Sequence, residues 1–106
     1  MQNLDDEWVL YHALMQDLTL ATQTYANGSL LTVVLSDGEV ARYGLSPTSH
    51  LILRTLNGKG EVTVSADVND LNWQVVNHLL HVTIDYNDKR EPYEASFALT
   101  PNAIGY

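Results

Sequence analysis

Apolar residues recur at helical spacing near the start of the chain. Asn3 is a suitable N-cap, and three carboxylates follow it in the first turn, where the helix dipole favours negative charge. The pattern predicts an amphipathic helix whose apolar stripe packs on the core; partly exposed Trp8 and Tyr11 would instead make it a docking or dimer face. The residues of this stripe are Leu4, Trp8, Tyr11, Met15 and Leu18, widened by Leu10 and Leu14.

Two turn signals divide the next segment into strands. Asn27-Gly28 and Asp37-Gly38 are typical of two-residue hairpin turns, whose central positions favour positive φ. They bracket an apolar run at residues 29–36, which is flanked by residues 21–26 and 39–45. We therefore predict a three-stranded antiparallel meander.

A second helix is predicted after the meander. Ser46 is a suitable cap, and Pro47 suits the first helical position because its missing N–H costs nothing there. Leucine and isoleucine between residues 51 and 56 would form the buried side. Asn57-Gly58 would end the helix, with Gly58 in the left-handed position beyond its last turn. Residues 61–66 are then expected to form a strand.

Residues 67–80 fit two interpretations. Asp70 can cap a helix that directs Leu71, Val75 and Leu79 to the core, whereas residues 73–76 are rich in strand-forming side chains. We favour the helix and keep the strand as the alternative. Beyond it, residues 81–86 and 93–99 alternate apolar and polar positions, as in a hairpin.

These elements predict a single α+β domain over residues 1–106, in the order α-βββ-α-β-α-ββ. We expect a mostly antiparallel sheet, made of the meander and the C-terminal hairpin, with two or three helices packed on it. The chain of 106 residues has 45% apolar residues, which is enough for one hydrophobic core.

Charge excludes several classes of partner. The first 41 residues contain six acids and neither lysine nor arginine, and the formal net charge is −8. Binding a nucleic-acid backbone or an anionic membrane surface requires basic side chains, so we predict neither partner. The chain has no cysteine, which excludes disulfides and thiolate metal sites and fits a cytoplasmic location.

Motifs for chemistry are weak. His78 and His81 form an H-x-x-H pair with Asp85 as the nearest third ligand, but the HEXXH motif is absent and the predicted helix ends between the two histidines. The serines lack a G-x-S-x-G context. We therefore predict no metal site, no cofactor and no catalytic residues, and we lean towards a protein that is not an enzyme.

Three hypotheses for function remain. The first is an interaction, accessory or regulatory module whose acidic N-terminal part binds a protein partner with a basic surface. The second is a small-molecule-binding or catalytic domain with a pocket between sheet and helices. The third, compatible with both, is a homo-oligomer. The binding residues are Asp5, Asp6, Glu7, Trp8 and Tyr11 in the first hypothesis, and His78, His81, Asp85 and Tyr86 in the second.

Overall fold

The described part of the chain forms one helix and eight strands. The computed structural model describes residues 2–46, 48–87 and 91–99, with only the backbone for residues 2–7. The elements are the helix α1 (Gln2–Thr19) and the strands β1 (Ala21–Asn27), β2 (Leu30–Leu35), β3 (Val40–Ser46), β4 (Leu51–Leu56), β5 (Lys59–Ser65), β6 (Val68–Val76), β7 (Leu79–Tyr86) and β8 (Tyr93–Ala98).

The strands form two antiparallel sheets in chain order. The larger sheet contains β1 to β5, and the smaller contains β6 to β8. Trp73 of β6 joins them at the β1–β2 turn. Its backbone N–H donates to the Gly28 carbonyl at 2.8 Å, and its indole N–H donates to the Ser29 carbonyl at 3.2 Å.

A single hydrophobic core lies between the two sheets and α1. Alternate residues of each strand enter it because side chains on a strand point to opposite faces. Tyr43 and Trp73 meet edge-on at its centre, with their ring centroids 6.0 Å apart. The buried residues of α1 are Leu10, Leu14, Asp17 and Leu18. In the part of the chain that the structure describes, no helix is both long and apolar enough to cross a membrane.

The predicted fold class is wrong in its helix count and in its sheet. The order α-βββ-α-β-α-ββ becomes one helix followed by eight strands, because the second and third predicted helices are β4 and β6. The predicted three-stranded meander continues through β4 and β5 into a five-stranded sheet. The first helix and the first three strands do lie where the sequence placed them.

Turn chemistry explains why residues 51–56 form a strand. Asn57 and Gly58 have φ of +55° and +77°, and Leu56 pairs with Lys59 across them. Asn-Gly with both residues in the left-handed conformation is the preferred two-residue hairpin turn. The dipeptide therefore reverses the chain direction between two strands here and does not end a helix. Pro47, the predicted first helical residue, lies outside the described residues.

Pairing with β7 explains why residues 68–76 form a strand. The pairing runs from Val68 opposite Tyr86 to Val76 opposite Leu79. Leu71 and Trp73 are buried, while Asn72 between them and the following Gln74 are exposed, which is the two-residue period of a half-buried strand. The strand alternative for this segment is therefore the correct one.

The β4–β5 turn generates a stability prediction. Gly58→Ala should lower the free energy of unfolding by about 1 kcal/mol, because a side chain at φ +77° is strained even though no atom lies within 4 Å of the added Cβ. Gly44→Ala is the matched control, since its new Cβ would meet Leu30 at an ordinary 3.5 Å. Urea unfolding followed by circular dichroism measures both; equal effects would contradict a left-handed turn at Gly58.

Candidate functional site

Helix α1 exposes large apolar side chains beside its buried face. Leu10, Leu14 and Leu18 recur every four residues and are at most 7% exposed. Trp8, Tyr11 and Met15 lie on another side of the helix and are 60%, 41% and 42% exposed. We call these three residues the exposed stripe. The predicted apolar stripe packs on the core only in part: Leu10, Leu14 and Leu18 are buried as expected, whereas the three residues of the exposed stripe are not.

Two aromatic contacts hold the exposed stripe in place. Trp8 stacks on His12, with ring centroids 4.6 Å apart and an interplanar angle of 27°. Tyr11 lies against the buried Phe97 of β8, at 5.6 Å between centroids. The rings are therefore held at the surface before a partner binds, which reduces the side-chain entropy that binding would cost.

An ion pair between the buried Asp17 and the partly exposed Arg54 fixes the C-terminal half of α1 to the larger sheet. The Asp17 carboxylate accepts hydrogen bonds from Arg54 Nε at 2.8 Å and from Arg54 Nη2 at 2.9 Å. It also accepts one from the Tyr43 hydroxyl. Tyr43 and Arg54 are opposite each other on β3 and β4, so both reach the same acid. We call these three residues the Asp17 triad.

The protonation states in the Asp17 triad follow from burial and charge. Burial, strengthened by the hydrogen bond to Asp17, raises the pKa of Tyr43 well above its ordinary value. The hydrogen bond to Asp17 raises the pKa of Arg54. Tyr43 is therefore a neutral donor and Arg54 a permanent cation at physiological pH. A forked arginine–carboxylate pair of this kind fixes orientation as well as distance.

An open groove of about 610 Å³ runs beside the C-terminal half of α1. Its apolar lining comes from Met15 and Leu20 on the helix side and from Leu35 and Leu56 on the sheet side. Asp17 and Arg54 also line it. Met15 belongs to both the exposed stripe and this α1 groove, so the two form one continuous surface.

Two carboxylates lie at the rim of the α1 groove. Asp37 and Glu39 both line it, and Asp37 Oδ1 accepts the backbone N–H of Glu39 at 2.9 Å. Asn57 Nδ2 donates to Glu39 Oε2 at 3.4 Å. The pKa of Glu39 is raised, first by a side-chain hydrogen bond with Asp37 and then by repulsion from its charge. The two rim acids therefore lie close enough for Asp37 to raise the pKa of Glu39.

The alternative pocket residues are dispersed. Tyr86 is buried, with its hydroxyl 3.1 Å from Ser65 Oγ. His81 and Asp85 lie on the outer face of β7, and His78 is exposed in the β6–β7 turn. The structure therefore does not bring these four side chains together.

His81 instead contacts a serine on the neighbouring strand. Its Nδ1 lies 2.6 Å from Ser96 Oγ, in a shallow pocket of about 280 Å³ that Glu94 also lines. Ser96 is exposed, so water competes for this contact. Within the described ranges, no three His, Asp or Glu side chains gather closely enough to hold a metal ion.

The acidic residues of the first hypothesis lie on α1. The backbone places Asp5, Asp6 and Glu7 in the turns before Trp8, and their side chains are outside what the structure describes. Sequence reasoning missed the Asp17 triad. One available signal was that Asp17 follows Leu10 by seven residues and so lies on the apolar face of the helix.

No protein-family model matches the sequence, and neither a curated protein nor a solved structure matches the chain. The function must therefore be inferred from the side chains described above.

The Asp17 triad generates a stability prediction. Arg54→Met should lower the free energy of unfolding by about 3 kcal/mol, since it leaves a buried carboxylate without its cation. Tyr43→Phe should cost about 2 kcal/mol, because it removes one hydrogen bond to a charged group. Urea unfolding followed by tryptophan fluorescence measures both. Arg42→Met, at an exposed position on β3, is the control; a loss as large as that of Arg54→Met would refute the role of the triad.

The rim carboxylates generate a pH prediction. Protonation of Glu39 is favoured in the folded state, so the associated stabilisation is present at acidic pH and is lost as pH rises through the raised pKa. Asp37→Asn keeps an acceptor for the Glu39 N–H but removes the negative charge. The pKa of Glu39 should then fall, as measured by NMR titration of its side-chain carboxyl carbon. An unchanged pKa would show that Asp37 is not its cause.

Proposed function

We propose that the protein is a non-enzymatic interaction module that binds a partner protein through α1. The observation that carries this proposal is the exposed stripe, in which a tryptophan, a tyrosine and a methionine lie together at the surface, 60%, 41% and 42% exposed. Tryptophan and tyrosine are the residues most enriched at interface hot spots, and methionine is enriched in interfaces. Exposing the apolar area of this stripe to water does not stabilise the folded protein. A partner that covers the stripe removes that area from water, and the hydrophobic free energy then contributes to binding.

The exposed stripe and the α1 groove together form a long surface, and its length favours a protein partner over a small molecule. Trp8 and Leu20 are twelve residues apart, which is about 18 Å along a helix axis. A surface of that length matches three helical turns or about five extended residues of a partner. The volume of the α1 groove, about 610 Å³, falls in the range of small-ligand sites and is the one observation that favours the second hypothesis.

Charge supports a partner with basic groups. The acids at residues 5–7 precede the exposed stripe on α1, and the rim carboxylates lie at the other end, in the α1 groove. Opposite charge on a partner accelerates association and makes it sensitive to salt. Neutral and aromatic groups in the middle would then provide most of the affinity, since exposed ion pairs contribute little.

The test compares two variants in affinity capture from the native lysate at low salt. Trp8→Ser/Met15→Ser removes the two most exposed side chains of the stripe. Leu30→Ser is the matched control, because Leu30 is 41% exposed but lies on the sheet face that points away from α1. The wild-type protein and Leu30→Ser should retain the same protein, released by salt, and the double variant should lose it.

Retention of that protein by the double variant would refute the proposal. Light scattering on the same samples separates a second copy of the chain from a different partner. A wild-type dimer that the double variant converts to a monomer would assign the stripe to self-association and would also refute a heterologous partner.

A further inference from the structure

We infer that the α1 groove receives a segment of the partner in which a lysine or arginine lies next to an apolar side chain. This inference rests on the proposed function, because it names the chemistry of the partner at one end of the same surface. The groove combines an apolar lining with two carboxylates at one rim, and Met15 connects it directly to the exposed stripe.

The apolar lining selects a hydrophobic group first. Leu20 is 54% exposed and Met15 42%, although each lies beside other apolar side chains of the groove. The Leu20 carbonyl accepts the Ser36 N–H at 2.8 Å, which holds the end of the helix against the β2–β3 turn. The groove is therefore formed by secondary structure on both sides and does not need to fold around its occupant.

The rim then selects a cation. Arg54 and His12 also line the groove, and Nε and Nη2 of Arg54 already donate to Asp17 at 2.8 and 2.9 Å. Asp37 and Glu39 contact each other through the 2.9 Å hydrogen bond from the Glu39 N–H. Because their charges repel, a cation placed between them is attracted by both and removes that repulsion.

Lysine and arginine satisfy both requirements with one side chain. Their methylene stems cover apolar surface while the charged head stays at a wet rim. An acidic peptide or a phosphate group would be repelled by the rim. A bare metal ion is a poor occupant, because no group of three His, Asp or Glu that could hold one is found among the described residues.

The experiment uses the full chain and three synthetic peptides. The probes are acetyl-Leu-Lys-Leu-amide and its matched Leu-Gln-Leu and Leu-Glu-Leu analogues, and binding is followed by ¹H–¹⁵N NMR titration. The lysine peptide should shift the amides of Leu20, Asp37 and Leu56 saturably. The glutamine peptide should bind about fivefold more weakly, because it lacks two exposed ion pairs, each of which increases the affinity only slightly. The glutamate peptide should bind more weakly still.

Two double variants assign the effect to the rim. Asp37→Asn/Glu39→Gln should weaken binding of the lysine peptide about fivefold and leave the glutamine peptide unchanged. Asp70→Asn/Asp85→Asn is the matched control, since it removes the same charge from two exposed residues that pair across β6 and β7. It should leave both peptides unchanged. Equal binding of all three peptides, absence of shifts in the groove, or equal effects of the two double variants would each overturn the inference.

The same variants separate this inference from the proposed function. If affinity capture depends on Trp8 and Met15 but is unaffected by Asp37→Asn/Glu39→Gln, the groove inference fails and the interaction module stands. If capture depends on neither set, both fail. If it depends on both, and the lysine peptide binds as stated, both are supported.

Discussion

The pairing of Asp17 with Arg54 and Tyr43 determines how α1 is oriented on the protein. The leucines of the helix supply apolar contact, which is favourable but not directional, so they tolerate small rotations and shifts along the axis. The carboxylate admits only one arrangement, because it must meet the forked guanidinium of β4 and the hydroxyl of β3 together. A buried ion pair adds little net stability compared with apolar residues of the same volume, but it is costly to break. Its effect here is to specify one orientation of the helix.

That orientation determines what the surface of the helix presents. With Asp17 directed at the larger sheet, Leu10 and Leu14 point into the core, and Trp8 and Met15 must point outwards. In the same pairing, Nε and Nη2 of Arg54 donate to Asp17, so these two donors are directed at Asp17 and not at the carboxylates of Asp37 and Glu39. The exposed stripe and the acidic rim are therefore two results of one buried contact. A change in that contact would alter both, although neither lies within it.

Local patterns in the sequence predicted the parts of the fold that depend on neighbouring residues. The first helix follows from leucine spacing, and the β1–β3 segment from its glycine turns. Residues 51–56 and 68–76 were misassigned because short apolar runs fit a helix and a strand equally well, and their partners in the sheet decide between them. The Asp17 triad joins residues 17, 43 and 54, which no local pattern relates. The exposure of Trp8 and Tyr11 depends on how α1 packs on the sheets, so the sequence alone could predict it only conditionally.

The distribution of acidic residues along the sequence can be interpreted once the position of α1 is known. The absence of lysine and arginine in the first 41 residues leaves two groups of acids associated with α1, at residues 5–7 in its early turns and at Asp37 and Glu39 beside its end. Asp17, which lies between them in the chain, is neutralised by an arginine from outside this region. Residues 5–7 precede the exposed stripe along α1, and Asp37 and Glu39 line the groove beside the C-terminal end of the helix. Under the proposed function, a matching partner places basic groups on either side of an apolar patch, so the arrangement of its charges, more than their number, would set its specificity.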